Sequence, residues 1–266
     1  MTSKQRLLAA INYQLPDRIP VAPLISPRIL KNIPEKEWSQ LLRLTDIVLN
    51  ISAGGNAYLG QEALNRVKTY KEGKITTTKI YTPKGALTSR KKDSEGTSWL
   101  IDPLFKDRKD VEKFLSIPYR CSQINADRYF SMEKKIGDEG LVRVPIASPV
   151  RFPFGCFGPE KFYLMIADDL PLLEKLTKIT MHRIKEYVKK CCEIGIRYFW
   201  MGGSEHCGPA VVNPRIFRQL VVIYDKQIVD LIHQYNGFVY YHIHGKLREI
   251  LDEIIEIGAD IVGPLE

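Results

Sequence analysis

The feature that most constrains this chain is an alternation in its second half, where short apolar segments of strand type follow amphipathic helical segments across turns marked by glycine or proline. Leu141 to Ala147, Arg197 to Met201, Phe238 to His242 and Asp260 to Val262 have strand character. Pro171 to Ile194, Asn213 to Tyr235 and Leu247 to Ile257 have helical periodicity. Parallel neighbours need a crossover of a dozen or more residues, and a helix supplies it, so this order predicts a parallel sheet backed by helices. A doubly wound sheet and a (β/α) barrel both satisfy the pattern. No GxGxxG opens any of the helices, which speaks against the dinucleotide-binding doubly wound sheet and favours the barrel.

The first half adds two principal strands, Ile19 to Leu24 and Asp46 to Ser52. A helix capped by Thr2 or Ser3 precedes them, and a second, from Ile33 to about Leu44, lies between them. Asp46 begins its strand rather than ending it, which predicts a structural role. Residues 64–101 change character: Arg66 to Tyr70, Ile75 to Tyr81 and Thr97 to Ile101 are β-rich and separated by Lys-Glu-Gly, Pro-Lys-Gly and Ser-Glu-Gly turns, so they read as an insertion. The principal strands then number six, whereas a closed barrel of this kind has eight. The expectation is one domain over residues 1–266, an α/β (β/α)8 TIM barrel with about six of eight βα units present and incomplete at its C-terminus.

Composition excludes several classes. The longest apolar runs fall short of a membrane span, and the N-terminus leads into an amphipathic segment rather than a signal peptide, so a cytoplasmic protein with no membrane partner is expected. The five cysteines show no CxxC pair and predict reduced thiols. A net charge of +8 is spread over short clusters such as Arg90-Lys91-Lys92 without interleaved aromatics, which predicts solvated charge and no nucleic-acid partner.

In parallel α/β folds function collects at the carboxyl ends of strands. Three loops meet that condition: Ser204-Glu205-His206-Cys207, His242-Ile243-His244, and Pro264-Leu265-Glu266. The histidines, two apart at a strand's end, can share one side, and imidazoles suit zinc and its neighbours. Two ligands do not complete a site, and Glu205 is the preferred third member, as ligand or as general base. His206 is a candidate substrate contact. Ser148 and Ser204 lack a GxSxG elbow, so no hydrolase triad is supported, and no phosphate-cradling loop is present.

Laid out in this order, the chain resembles the uroporphyrinogen decarboxylase superfamily, which also holds cobalamin-dependent methyltransferases acting on thiols. The likeness rests on Lys4-Gln5-Arg6 through Pro16-Asp17-Arg18-Ile19-Pro20-Val21, on Thr82-Pro83-Lys84-Gly85-Ala86-Leu87, on Gly158-Pro159-Glu160, on Asn213-Pro214-Arg215-Ile216-Phe217, and on His242-Ile243-His244-Gly245 through Pro264-Leu265-Glu266. It implies the (β/α)8 barrel. Where the decarboxylases carry Arg-Gln-Ala-Gly-Arg-Tyr, this chain reads Ser26-Pro27-Arg28-Ile29-Leu30, leaving Arg28 to hold a substrate carboxylate. The methyltransferase branch binds zinc with His-x-Cys and a later Cys; His242 matches the His, His244 stands at the Cys position, and the later Cys would fall after Glu266.

The resemblance therefore implies a zinc-dependent, methyltransferase-like enzyme with a small-molecule substrate and a corrinoid carried by a partner protein, and homo-oligomers are compatible with it. Alternatives are a metal-independent decarboxylase of an acidic substrate and a truncated, non-enzymatic homologue.

Overall fold

The computed structural model describes residues 1–23, 25, 32–95 and 97–265. Arg28 and Glu266, named above as a substrate contact and a loop member, lie outside them. Nine strands are formed among the described residues: β1 Ile47–Asn50, β2 Val67–Glu72, β3 Ile75–Thr82, β4 Gly85–Ser94, β5 Thr97–Asp102, β6 Gly140–Ala147, β7 Tyr198–Gly202, β8 Phe238–His242 and β9 Ile261–Gly263. They divide into a parallel sheet ordered β1-β6-β7-β8-β9 and an antiparallel sheet ordered β2-β3-β4-β5. The parallel sheet runs in strict sequence order and curls into a half-barrel, the geometry of a partial TIM barrel.

The crossovers form where the sequence signals stand. A 24-residue helix, Leu170–Glu193, joins β6 to β7; it carries proline in its first turn, where no N–H is lost to the ladder, and gives way at Gly195 with φ +101°. Between β7 and β8 the Asn213 side chain caps Pro214–Phe217, which continues through a π-helical turn, Arg218–Val222, into the helix Ile223–Gln234. Along β8 every second residue is buried: Val239 and Tyr241 are fully enclosed, and Phe238, Tyr240 and His242 are half-buried on the opposite, concave face. Among the described residues no helix is long and apolar enough to cross a membrane, and all five cysteines are free and buried.

Three expectations change. Ile19 to Leu24 was expected as the first barrel strand, but the described residues of that segment form none. Pro20 and Pro23 have no N–H to give a ladder, and Ile19 is 83% exposed. The parallel sheet accordingly has five strands among the described residues rather than six. In the β-rich insertion a further strand appears, β4, because its Arg90-Lys91-Lys92 run pairs on both sides although its composition reads as loop. The short helix Arg151–Phe157, containing Pro153, was not anticipated either.

What holds the proline-bearing segment is Asp46. Its backbone N–H donates to the Val21 carbonyl at 2.7 Å and its carboxylate accepts the Val21 N–H at 2.8 Å. The same buried carboxylate accepts from Arg6 at 2.6 Å and from Arg18 at 2.8 Å, so the N-terminal helix Ser3–Ile11, the proline segment and the start of β1 meet at one anion. Burial alone would raise the Asp46 pKa; the Val21, Arg6, Ser3 and Arg18 bonds outweigh it and hold the carboxyl below its ordinary value. Removing one partner of a buried pair leaves the other charge uncompensated. Asp46→Ala is expected to cost about 3 kcal/mol in urea denaturation. Because the folded pKa is depressed, this contribution is present above the unfolded carboxylate value of about 3.9. It fades as pH falls through the lower folded value, so the difference between wild type and variant should shrink at acid pH.

Candidate functional site

The concave face of the half-barrel encloses a cavity of about 520 Å³. Its walls are the inward residues of the parallel strands, among them Tyr198 and Trp200 from β7 and Phe238, Tyr240 and His242 from β8, with Leu7, Ala10 and Ile11 of the N-terminal helix also lining it. Tyr198 stacks on Phe238 across the strands, with ring centroids 5.7 Å apart, and Trp200 tilts against His242 at 5.1 Å. Space at the strand ends is reserved by two glycines. A side chain at Gly202 would stand 2.5 Å from the Trp200 indole, and one at Gly263 would stand 2.5 Å from the Tyr240 hydroxyl.

His242 closes β8 at this upper rim, and His244 lies two residues on, exposed, with buried Ile243 turned the other way between them. The two imidazoles meet edge to face, Nε2 to Nε2, at 2.9 Å. A contact that short is a hydrogen bond when one of the nitrogens carries a proton. It is also close to the separation of about 3.3 Å that two imidazoles take on one tetrahedral zinc with Zn–N near 2.0–2.1 Å. Burial, then His244, lower the His242 pKa, and Arg143 adds to this; Glu205 and the Gly263 backbone oppose them. The net effect favours the neutral imidazole, the form that donates a lone pair to a metal.

The loop after β7 is a 3-10 turn, Ser204–Cys207, rather than an extended segment. Glu205 bends back within it and accepts the Gly203 N–H at 2.8 Å. His206 is stacked flat on Phe154 with centroids 3.7 Å apart, and its Nε2 lies 2.9 Å from an Arg151 nitrogen. Cys207 is fully buried, and burial pushes its thiol well above the usual range. The two histidines thus fit a borderline metal in donor type and spacing. Among the described residues no group of three or more His, Cys, Asp or Glu side chains gathers, so a third ligand is not assembled there.

Behind the sheet lies a polar cluster that no sequence pattern indicated. Asp225, fully buried on the helix Ile223–Gln234, accepts from Ser148 Oγ at 2.8 Å and from Tyr241 Oη at 2.6 Å. It ties that helix to the end of β6 and to the buried side of β8, one residue from His242. Its only sequence signal is a carboxylate set among Leu220, Val221, Val222, Ile228 and Val229. Burial raises the Asp225 pKa to about 7, against the lowering effect of its two hydroxyl partners.

A second unanticipated group is Arg143, a cation in an otherwise apolar strand. Its Nε donates to Asn50 Oδ1 at 2.7 Å, and its guanidinium lies 4.4 Å from the Tyr240 ring centroid, inside the cavity.

The family model described as uroporphyrinogen decarboxylase (URO-D) matches residues 87–264, which hold β6 to β9, both histidines, Arg143 and Asp225. The chain belongs to the URO-D family. This URO-D chain also superposes on a solved structure of a methyltransferase from Methanosarcina mazei with a TM-score of 0.60 and 14% identity, over 98% of this chain and 75% of that one. At that identity the likeness is one of fold. No curated protein matches the sequence.

For Asp225 the folded pKa is raised, so the native state holds a proton between about pH 4 and 7 that the unfolded chain releases. Its effect on stability is most favourable at low pH and declines as pH rises to about 7. Asp225→Asn is expected to remove that decline, and the midpoints of thermal melts recorded from pH 5 to pH 8 for both proteins will show it.

Proposed function

We propose that this URO-D family chain is a metal-dependent, methyltransferase-like enzyme that moves a methyl group between a corrinoid protein, or a small methyl donor, and a thiol-type acceptor. The observation that carries the reading is the pair of imidazole nitrogens 2.9 Å apart at the carboxyl end of β8, above the cavity. The fold likeness to a methyltransferase supports it. In this reading His242 and His244 hold zinc through their Nε2 atoms. Zinc bound there supplies Lewis acidity that lowers the pKa of a nearby thiol.

The chain's own residues do the rest. Burial keeps His242 neutral, so its lone pair is available near neutral pH. Trp200 and Tyr240 form the wall beneath it and exclude water from the reacting end of the acceptor. Glu205, which already acts electrostatically on His242, would have to release the Gly203 N–H to complete the ligand set or to take the acceptor's proton.

Protein purified without a histidine tag is expected to carry about one zinc per chain, with His242→Ala/His244→Ala falling below about a tenth of that, because two imidazoles supply most of the donor set. Elemental analysis beside a circular-dichroism melt, which should be unchanged for this surface-rim pair, reads the result. Methyl transfer from methylcobalamin to 2-mercaptoethanol, followed by absorbance, should vanish in the double variant and on chelation. Metal-free wild type, or transfer indifferent to both histidines, overturns the reading; chelator-insensitive decarboxylation of a porphyrinogen would put the decarboxylase in its place.

A further inference from the structure

We infer that the cavity beneath the histidines binds a small organic acid with a flat apolar body, its carboxylate anchored by Arg143 and its far end directed toward His242. The inference deepens the proposed function by naming a substrate class. It rests on that reading only for what happens at the far end of the ligand.

The first observation is an unbalanced cation. Arg143 gives its Nε–H to Asn50, and among the described residues neither of its terminal nitrogens has a hydrogen-bond partner, nor does any carboxylate pair with it. The acid that shares the cavity lining, Asp260, is already occupied: it accepts from His233 Nε2 at 3.0 Å and from the Val239 N–H at 2.7 Å. Burial pushes the Arg143 pKa down to about 10, which still leaves it charged at neutral pH. A guanidinium in a half-buried place with nothing opposite it is costly, and a carboxylate taken up bidentately by its two free ends removes that cost.

The second is orientation. Asn50 on one side and the Tyr240 ring on the other fix the guanidinium plane, so the anchor is held before any ligand arrives. The third is the shape and chemistry of the walls. Tyr198, Trp200, Phe238 and Tyr240 offer ring faces and edges to a flat body, and about 520 Å³ lies within the range of small-molecule sites, roughly 300–1,000 Å³.

Length and charge then narrow the class. Tyr240, beneath the guanidinium, is two residues below His242 on the same strand face, about 7 Å at strand rise. That span matches a ring with a short acid arm. Among the described lining residues a single arginine, with no lysine, suits a monoanion better than a phosphate dianion. The polar end is thereby held low in the cavity, and the opposite end reaches the histidine rim.

Isothermal titration of the full chain with 3-phenylpropionate and with its neutral isostere 3-phenylpropanamide, in buffer containing EDTA, tests this. The acid is expected to bind at least about tenfold more tightly than the amide, in keeping with the strength of charge-assisted hydrogen bonds. Arg143→Met should abolish that preference, Arg143→Lys should keep part of it, and Lys189→Ala, exposed on the helix Leu170–Glu193 and outside the lining, should leave it unchanged.

Equal binding of acid and amide by the wild type, no binding of either, or acid binding indifferent to Arg143→Met would overturn the inference. Should Arg143→Met fail to fold by circular dichroism, the wild-type preference and its reduction in Arg143→Lys decide. The chelated titration separates the two readings. Acid selectivity in a protein that never holds zinc would end the metal reading alone, whereas a zinc-loaded protein blind to the acid would end this one alone.

Discussion

The constraint on which this molecule depends is the two-residue period of its parallel strands. On β7 and β8, Met201, Val239 and Tyr241 are buried away from the cavity, while Tyr198, Trp200, Phe238, Tyr240 and His242 line it. One strand therefore builds the core and the site at once, and shifting its register by a residue would exchange them. The glycines that end β7 and β9 follow from the same geometry. Trp200 and Tyr240 fill the spaces where side chains at Gly202 and Gly263 would stand.

A sheet with open edges needs its strand ends fixed by something other than barrel closure. Two buried carboxylates do this at opposite ends. Asp46 gathers Arg6, Arg18 and Val21 at the amino end of β1, and its several partners keep it ionised. Asp225 joins the carboxyl end of β6 to β8 through two hydroxyls and no cation. The difference in partners explains why the first carboxyl lies below its usual pKa and the second well above it. The Asp225 link is the one that bears on function, because Tyr241 is the covalent neighbour of His242. Ser204 Oγ, the buried side-chain atom without a partner among the described residues, belongs to the loop that follows β7 at the same end of the sheet.

The sequence was most legible where a local rule decides the outcome. Phe238 to His242 forms a strand at the bounds read from its aromatic and β-branched run after Gly237, and Asn213 caps the helix that Pro214 begins. It misled where composition and hydrogen-bonding capacity disagree. Ile19 to Leu24 is apolar enough for a strand but carries two prolines, and β4 is charged enough for a loop but is paired on both sides. The same division runs through the site. Two histidines at i and i+2 reach each other across one strand end, as spacing alone suggests. Arg143 opposite Tyr240, and Asp225 opposite Ser148 and Tyr241, are tertiary meetings between distant segments, and one sequence carries no period that announces them.

The electrostatics of the cavity bind these parts into one argument about substrate. The burial that lowers the His242 pKa favours its neutral imidazole at the rim of the cavity. Arg143 places a positive centre below it and contributes to lowering the His242 pKa. A cavity that holds this cation between aromatic walls gains from an anion at its base. Among the described residues no carboxylate pairs with Arg143, and an acid bound in the cavity would neutralise it.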